Sequence, residues 1–362
     1  MHGWRRKLLR SLRKRVRGLF ERAGYALRPR SIGLEITRTC NLRCRTCPRQ
    51  QAMPSKTDLT ADDVRRILGQ FPRLELLNIV GFGEPLASAH LFEILDVTEA
   101  RGIDVVLTTN GMLLDEGRIE RLPPCVGHVY VSVDSPVPEK FEQLRPGAQF
   151  AVVHENIRAL QRLRPDVRLA IQGVLTRETV EDATALVRFA AGVGARRVNF
   201  LHVDPLGEEN GRQSVVGEPG AAALLQDARQ AGSRLGVRVV APDVGPRLRM
   251  CRAPWREPHI AANGAIRACC YMGRSPGAAT ECLFGEPLAL PLEQYVVGSI
   301  FRDRFRDLWN GPALRQVRRS VQQAERQGGS SLDELRERRR QVDLSVRFSY
   351  CSVCLWRWGC AC

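Results

Sequence analysis

Short apolar runs and longer amphipathic stretches follow one another in a regular order from residue 31 onward. The apolar runs have the length of buried strands, and apolar residues recur at helical spacing in the stretches between them. The predicted strands are Ile32–Thr37, Leu74–Val80, Asp104–Thr108, His128–Val133, Val167–Val174 and Arg197–Val203. The predicted helices lie near residues 60–70, 88–101, 114–121, 139–163 and 178–192. Six β–α repeats predict a parallel sheet with crossover helices, and chemistry gathers at the carboxyl ends of such strands.

The pattern changes at both ends of this region. Residues 206–222 are rich in glycine and predict a loop, followed by a helix near 221–235 and a strand near 236–241. Pro242 to Pro246 predict a linker into a cysteine-rich tail. At the other end, residues 4–20 predict an amphipathic helix with Arg and Lys between its apolar positions. Such a helix binds an anionic membrane surface or an acidic partner, or packs on the body with its basic face in solvent.

Charge is concentrated at the amino end of the chain. Residues 1–30 hold eleven Arg or Lys and the single acid Glu21, which is +10 of the net charge of +16. The body is therefore only mildly basic, and we expect no nucleic-acid binding. No apolar stretch reaches the roughly 20 residues that span a bilayer, and the basic amino terminus lacks the apolar segment of a secretory signal. We expect a cytoplasmic protein, with peripheral membrane contact if residues 4–20 bind lipid.

The chain has 12 cysteines, and three of them follow the first predicted strand as Cys40-x-x-x-Cys44-x-x-Cys47. In a reducing compartment, clustered cysteines are more often metal ligands or catalytic groups than disulfides. Three thiolates on one loop suit a four-iron cluster with one iron left open, whereas zinc usually takes four protein ligands. A zinc knuckle with its fourth ligand elsewhere is the alternative.

The segment TRTCNLRCRTCP closely resembles the cysteine motif of the radical S-adenosylmethionine (SAM) superfamily. The resemblance implies that Cys40, Cys44 and Cys47 hold a [4Fe-4S] cluster whose open iron binds SAM. One electron, from a donor such as flavodoxin or ferredoxin, then cleaves the cofactor. The resulting 5′-deoxyadenosyl radical abstracts a hydrogen atom from the substrate, so the cofactor supplies the reactivity and the protein supplies its position.

Further elements resemble the family in the same order along the chain. Gly81-Phe-Gly83-Glu84-Pro85 resembles the glycine-rich element that approaches the cofactor's amino group, where Glu84 would accept from the ammonium. Thr108-Thr109-Asn110-Gly111 and Ser132-Val-Asp134 resemble segments near the ribose and methionine groups, although Ser135 replaces a glycine often found there. Arg145 falls where relatives pair the cofactor carboxylate, but a surface arginine is the alternative. The implied cofactor-binding residues are Gly81, Gly83, Glu84, Pro85, Asn110, Ser132, Asp134 and Arg145.

The tail resembles the SPASM or twitch extension of the same superfamily, which binds auxiliary four-iron clusters. The implied ligands of one auxiliary [4Fe-4S] cluster are Cys251, Cys269, Cys351 and Cys354. Cys354-x₅-Cys360 also fits a two-cluster pattern, but Cys362 then comes too early, so the spacing leaves one or two auxiliary clusters open. A zinc ribbon is the alternative. Cys270 and Cys282 are candidate hydrogen-atom donors to a substrate radical, and no role is assigned to Cys125, Cys360 and Cys362.

These patterns together predict an α/β fold, a partial (β/α)6 barrel of the TIM type with a small C-terminal α+β iron–sulfur domain. The expected divisions are 1–28, the basic helix; 29–245, the barrel; and 246–362, the SPASM/twitch domain. Only 39 residues precede Cys40, too few for a leader-peptide-binding or cobalamin domain. We therefore expect a polyol, sugar or lipid-linked substrate that is oxidised or epimerised. Peptide modification is the alternative within the superfamily, and a basic zinc protein that binds nucleic acid is the alternative from another class.

Overall fold

A computed structural model describes residues 18–49, 57–244, 251–267, 278–291, 295–327, 329, 331–344 and 354. Seven parallel strands are consecutive in both sequence and space, because each crossover returns the chain to the neighbouring position of the sheet. They are β1 (Ser31–Leu34), β2 (Leu76–Ile79), β3 (Asp104–Thr109), β4 (Val126–Ser132), β5 (Arg168–Leu175), β6 (Arg197–His202) and β7 (Arg238–Val240). The mostly parallel sheet with its crossover helices confirms the predicted partial barrel.

The helices of the barrel region follow its strands, and most of them bury apolar residues in the core. They are α1 (Ala61–Gly69), α2 (Leu91–Glu99), α3 (Glu116–Glu120), α4 (Pro138–Leu144), α5 (Phe150–Leu163), α6 (Ala183–Gly192), α7 (Glu208–Arg212) and α8 (Ala221–Leu235). Thr60 caps the start of helix α1: its hydroxyl accepts from the Asp63 N–H, while the Asp63 carboxylate accepts from the Thr60 N–H. This capping box satisfies two backbone donors that the first helical turn leaves without partners.

Two predicted elements differ from the structure. The helix predicted over 139–163 is two helices, α4 and α5, since Pro146 and Gly147 interrupt it and Gly147 has a φ of 94°. The loop predicted over 206–222 contains the short helix α7, whose five residues are too few to show helical periodicity. The predicted helix at residues 4–20 lies mostly outside the described residues, of which 18–22 are helical.

The C-terminal segment extends the barrel sheet beyond β1. It contains strands β8 (His259–Ile260), β9 (Ala265–Arg267), β10 (Ala278–Leu283), β11 (Glu286–Pro291) and β12 (Val296–Ser299), and helices α9 (Ala253–Arg256), α10 (Phe305–Trp309), α11 (Pro312–Arg326) and α12 (Leu332–Gln341). Strand β8 pairs in parallel with β1, and β9 and β12 continue the sheet. Strands β10 and β11 form a separate hairpin.

The β10–β11 hairpin reaches the loop that follows β6. The Gly207 N–H donates to the Thr280 carbonyl at 2.8 Å, and the Cys282 N–H donates to the Pro205 carbonyl at 2.8 Å. The tail therefore contacts the barrel at both sides, through β8 next to β1 and through this hairpin beyond β6. No helix in the described part of the chain has the length and apolar character needed to cross a membrane.

Candidate active site at the carboxyl ends of the strands

The loop after β1 carries Cys40, Cys44 and Cys47, all half-buried. Neighbouring segments hold its backbone, because the Glu84 N–H donates to the Thr39 carbonyl at 2.8 Å and the Arg45 N–H donates to the Leu144 carbonyl at 3.0 Å. The Cys40 sulfur accepts from the Leu42 N–H at 3.4 Å. The strand ends thus place the three thiols in a fixed loop, at the edge of the sheet where the sequence predicts the chemistry.

The environment of the thiols favours a cationic ligand. Burial raises the pKa of Cys44 to about 11; the nearby Arg145 opposes that shift, whereas Cys47, Asp134 and Cys40 add to it. Burial likewise raises the pKa of Cys40, although the Leu42 N–H opposes the shift. Thiolates in such a site need a positive partner, which an iron–sulfur cluster supplies.

The donor set fits an iron–sulfur cluster. Cysteine thiolates are the usual ligands of such clusters, whereas a zinc site usually takes four protein ligands. Cys40, Cys44 and Cys47 are the residues that would hold the cluster.

Glycines at 81 and 83 let the loop after β2 lie directly against the cysteine loop. A Cβ atom at Gly83 would lie 2.3 Å from the Thr37 carbonyl oxygen and 2.8 Å from that of Thr39. A Cβ atom at Gly81 would lie 2.6 Å from Cγ of Glu35. These distances are shorter than real side chains tolerate, so only glycine gives this approach. The loop therefore presents its backbone next to the cysteines, as a cofactor cradle requires.

Glu84 faces inward and holds the end of β3. Its carboxylate accepts from the Asn110 N–H at 2.6 Å, the Thr109 hydroxyl at 2.7 Å and the Leu86 N–H at 3.1 Å. Burial raises the pKa of Glu84, although the Asn110 N–H and the Thr109 hydroxyl oppose that shift. The carboxylate thus joins the loops around the proposed cofactor site through contacts that the sequence alone does not reveal. Pro85 is buried at the start of the 3₁₀ turn Pro85–Ala87.

Asn110 connects the end of β3 to the cysteine loop. Its side-chain amide donates to the Asn41 side-chain oxygen at 2.8 Å, and the same nitrogen lies 3.9 Å from the Cys40 sulfur. Its own oxygen accepts from the Met112 N–H at 3.0 Å. The predicted cofactor residue and the first predicted cluster ligand therefore lie together.

Arg145 and Asp134 form a buried ion pair beside Cys44. Nε of Arg145 lies 2.7 Å from Oδ2 of Asp134, and Nη2 lies 3.0 Å from Oδ1. Arg145 is therefore not the surface arginine of the alternative interpretation. Ser132 ends β4, two residues before Asp134, and pairs with Gln172 of β5.

The cysteines of the tail are described only in part. Cys251 and Cys354 are half-buried and pack against the core. Cys282 is buried in β10, over the loop after β6, and burial raises its pKa, as Glu208 and Glu281 also do. Cys125 is half-buried at the opposite ends of the strands. The predicted residues Cys269, Cys270, Cys351, Cys360 and Cys362 lie outside the described residues.

Glu35 lies against the glycine loop, although no sequence motif marks it. It follows β1, is fully buried, and accepts from the Phe82 N–H of the glycine loop at 3.2 Å. The available signal was a lone acid within the apolar run from Ile32 to Ile36, since acids are almost never fully buried unless paired.

Two protein-family models match the chain. The Radical SAM superfamily model matches residues 34–190, and the model of SPASM, an iron-sulfur cluster-binding domain, matches residues 251–354. The chain therefore contains a radical SAM domain followed by a SPASM domain. The radical SAM match covers the cysteine loop and every predicted cofactor residue, and the SPASM match runs from Cys251 to Cys354. These domains imply [4Fe-4S] clusters and SAM as cofactors.

Curated relatives of this radical SAM chain are moderately similar. The tungsten-containing aldehyde ferredoxin oxidoreductase cofactor-modifying protein of Pyrococcus furiosus is 28% identical over 186 residues, 49% of this chain and 52% of that protein. This chain also matches about half of the length of other relatives, among them a GTP 3′,8-cyclase and an AdoMet-dependent heme synthase. The probable GTP 3′,8-cyclase of Methanopyrus kandleri is 27% identical over 285 residues, 74% of this chain and 89% of that protein.

Solved structures agree on the fold. SuiB of Streptococcus suis bound to the precursor peptide SuiA superposes with a TM-score of 0.62 at 17% identity. The superposition covers 86% of this chain and 71% of SuiB. At this identity the likeness establishes the shared architecture alone.

Proposed function

We propose that this radical SAM protein abstracts a hydrogen atom from a small polar substrate, a polyol, sugar or glycolipid, and thereby oxidises or epimerises it at a carbinol carbon. The observation that supports the radical step is that the loops following β1 to β4 lie together around three thiols. Hydrogen bonds and an ion pair of Glu84, Asn110 and Arg145 connect residues of these loops. A bound [4Fe-4S] cluster and SAM would supply the radical. The chain's own residues would position the cofactor and exclude water.

The polar character of the barrel rim supports a polar substrate. Glu178, just beyond β5, accepts from the Gln213 amide at 2.6 Å and pairs with Arg45 of the cysteine loop at 3.3 Å. Asn210 of α7 donates to the Thr46 carbonyl at 3.2 Å. Side chains of this kind recognise hydroxyl and charged groups. The matched relatives named for GTP and for heme also act on small molecules by name, which supports the small-substrate proposal over a peptide.

Cys282 supports the epimerisation outcome. The β10–β11 hairpin places this thiol over the loop after β6, and Gly211 packs so tightly on it that a Cβ atom there would lie 1.7 Å from the Cys282 carbonyl oxygen. A thiol there could return a hydrogen atom to a substrate radical. The thiyl radical left on Cys282 would then need one electron, from the proposed flavodoxin- or ferredoxin-type donor, and one proton to become a thiol again. Cys270, the other proposed donor, lies outside the described residues. In the oxidative outcome the auxiliary cluster, with Cys251 and Cys354 among its proposed ligands, would take the electron that the substrate radical loses.

Peptide modification is the second candidate. It is supported by the fold shared with SuiB, which was solved with its precursor peptide.

Contact with an anionic membrane surface, which would suit a glycolipid substrate, is supported by Leu19 and Phe20, whose exposed fractions are 59% and 48%. We propose an electron donor of the flavodoxin or ferredoxin type.

Deuterium transfer tests the substrate proposal. The protein is reconstituted with iron and sulfide under anaerobic conditions, reduced, and incubated with SAM and candidate compounds deuterated at one carbinol carbon. We expect deuterium in 5′-deoxyadenosine with a polyol, sugar or glycolipid candidate. Transfer only from a peptide would contradict the small-substrate proposal. If the reaction is an epimerisation, the Cys282→Ala variant should no longer form the epimerised product. If it is an oxidation, the variant should still form the oxidised product.

A further inference from the structure

Glu35 is a fully buried carboxylate at the junction of three segments of the chain. It lies between β1 and the cysteine loop, and its exposed fraction is 0%. Oε1 accepts from the Phe82 N–H at 3.2 Å, and Oε2 accepts from the Ala262 N–H at 3.1 Å. Phe82 belongs to the glycine loop of the proposed cofactor site, and Ala262 lies between β8 and β9 of the SPASM domain.

Two arginines keep this carboxylate charged. Nε of Arg38 lies 3.3 Å from Oε2, and Nη2 of Arg267 lies 3.6 Å from the same oxygen. Burial opposes ionisation, but Arg267, Arg38, the hydrogen bond from the Ala262 N–H and His259 together oppose it more strongly, so the pKa of Glu35 is lowered. A buried charge is tolerated when it is paired and hydrogen-bonded in this way, and removing one partner leaves the other uncompensated.

The same carboxylate sets the position of the glycine loop. The side chain of Glu35 fills the space in front of Gly81, where a Cβ atom would lie 2.6 Å from its Cγ. The loop is thus packed on Glu35 at Gly81 and hydrogen-bonded to it at Phe82. Arg267, on the tail side, lies two residues before Cys269, a proposed auxiliary-cluster ligand. One side chain therefore links the tail to the backbone proposed to bind SAM.

We propose that Glu35 is a positioning residue that makes SAM binding at the barrel depend on the SPASM domain. The inference rests on the proposed radical SAM function. Glu35 holds the Phe82 N–H, and with it the Gly81–Pro85 backbone, in the cofactor-binding arrangement. The Ala262 N–H and Arg267 hold Glu35 in turn. Displacement of the β8–β9 turn, for example on loss of the auxiliary cluster, would release the glycine loop.

Glu257 provides a matched control. Its Oε2 accepts from the Ser31 hydroxyl at 2.5 Å and from the Asn78 side-chain amide at 2.8 Å. It therefore also joins the SPASM domain to β1 and β2 through one carboxylate. The described contacts of Glu257 do not include the Gly81–Pro85 loop. Substitution of Glu257 therefore tests the contact between the two domains without altering a contact of that loop.

The experiment compares Glu35→Gln and Glu257→Gln in anaerobically reconstituted protein. Equilibrium dialysis measures SAM binding, the paramagnetic signal of the reduced cluster reports its change on SAM addition, and iron content checks cluster loading. Hydrogen exchange of residues 81–86 in cluster-free protein gives a readout independent of activity. We expect SAM binding about tenfold weaker or more in Glu35→Gln, with faster exchange at 81–86, because a hydrogen bond to a charged group is lost. Glu257→Gln should match the wild type in both.

The outcomes are distinct. If Glu35→Gln does not retain iron, Arg267→Gln applies the same test from the tail side. This substitution keeps Glu35 itself and its barrel partners, the Phe82 N–H and Arg38. Wild-type SAM binding and exchange in these variants would overturn the proposal, as would equal weakening by Glu257→Gln. Failure of the wild type itself to bind SAM would instead overturn the proposed function.

Discussion

The Arg145 guanidinium donates two hydrogen bonds to the Asp134 carboxylate, from Nε to Oδ2 at 2.7 Å and from Nη2 to Oδ1 at 3.0 Å. Asp134 also accepts from the Val174 N–H of β5 at 2.8 Å. Both side chains are buried beside Cys44, whose pKa each of them shifts. Asp134 therefore fixes the direction of the Arg145 guanidinium next to that cysteine, so the two predicted cofactor residues act as one unit.

We predict that Asp134→Ala lowers the free energy of unfolding of the cluster-free protein by about 3–5 kcal/mol, because it leaves Arg145 buried without its carboxylate. Urea denaturation measures the change. Asp166→Ala is the matched control, since Asp166 makes the same two-pronged contact with Arg164 but its side chain is 60% exposed. The control should lose less than about 1 kcal/mol. Equal losses in both variants would show that the Asp134 pair is not a buried pair.

Gly83→Ala should weaken SAM binding by about tenfold or more. The new Cβ atom would lie 2.3 Å from the Thr37 carbonyl oxygen, so the glycine loop must move away from the cysteine loop. Gly127→Ala is the control, because no atom lies within 4 Å of a Cβ atom placed there. Equilibrium dialysis of reconstituted protein compares the two. The same affinity in both variants would mean that this close approach does not matter to the cofactor.

The reactivity of Cys44 gives a prediction about pH. The thiolate is the form that alkylating agents attack, and burial raises the pKa of Cys44 to about 11. In native cluster-free protein the alkylation rate of Cys44 should still rise between pH 9 and 11, as followed by mass spectrometry of its peptide. Arg145→Gln should slow the reaction at pH 9, because Arg145 opposes the shift. A rate that levels off near pH 9 would contradict the burial of this thiol.

Leu19 and Phe20 test the membrane proposal. Replacing both with Asp should reduce co-sedimentation with vesicles that contain anionic lipid, because apolar area and positive charge at the amino end act together. Val137 and Leu235 have similar exposed fractions, 42% and 45%, on other parts of the surface. Their double replacement with Asp should leave sedimentation unchanged. An equal loss of co-sedimentation in the two double variants would contradict the proposal that residues 18–22 contact the membrane.

The sequence predicted what local patterns determine. The order of strands β1 to β7 followed from period-two and period-3.6 hydrophobicity, and the cysteine loop from its spacing. The break between α4 and α5 was visible in Pro146-Gly147, although the apolar periodicity on both sides concealed it. The contacts that Glu35 and Glu84 make within the protein could not be predicted, because they involve residues such as Ala262 and Asn110 that only the folded sheet brings near. Likewise, Asp134 and Arg145 were both predicted as cofactor residues, but not as partners.

The most direct measurement is reductive cleavage of SAM by protein that has been reconstituted anaerobically with iron and sulfide and then reduced. Wild-type protein should release 5′-deoxyadenosine and methionine and show the absorption and reduced-state paramagnetic signal of a [4Fe-4S] cluster. Cys44→Ala should release neither product, because the cluster on Cys40, Cys44 and Cys47 would lose one of its three ligands. Full cleavage by Cys44→Ala, or wild-type protein that holds stoichiometric zinc and no iron, would contradict the assignment of this loop as the radical-generating site.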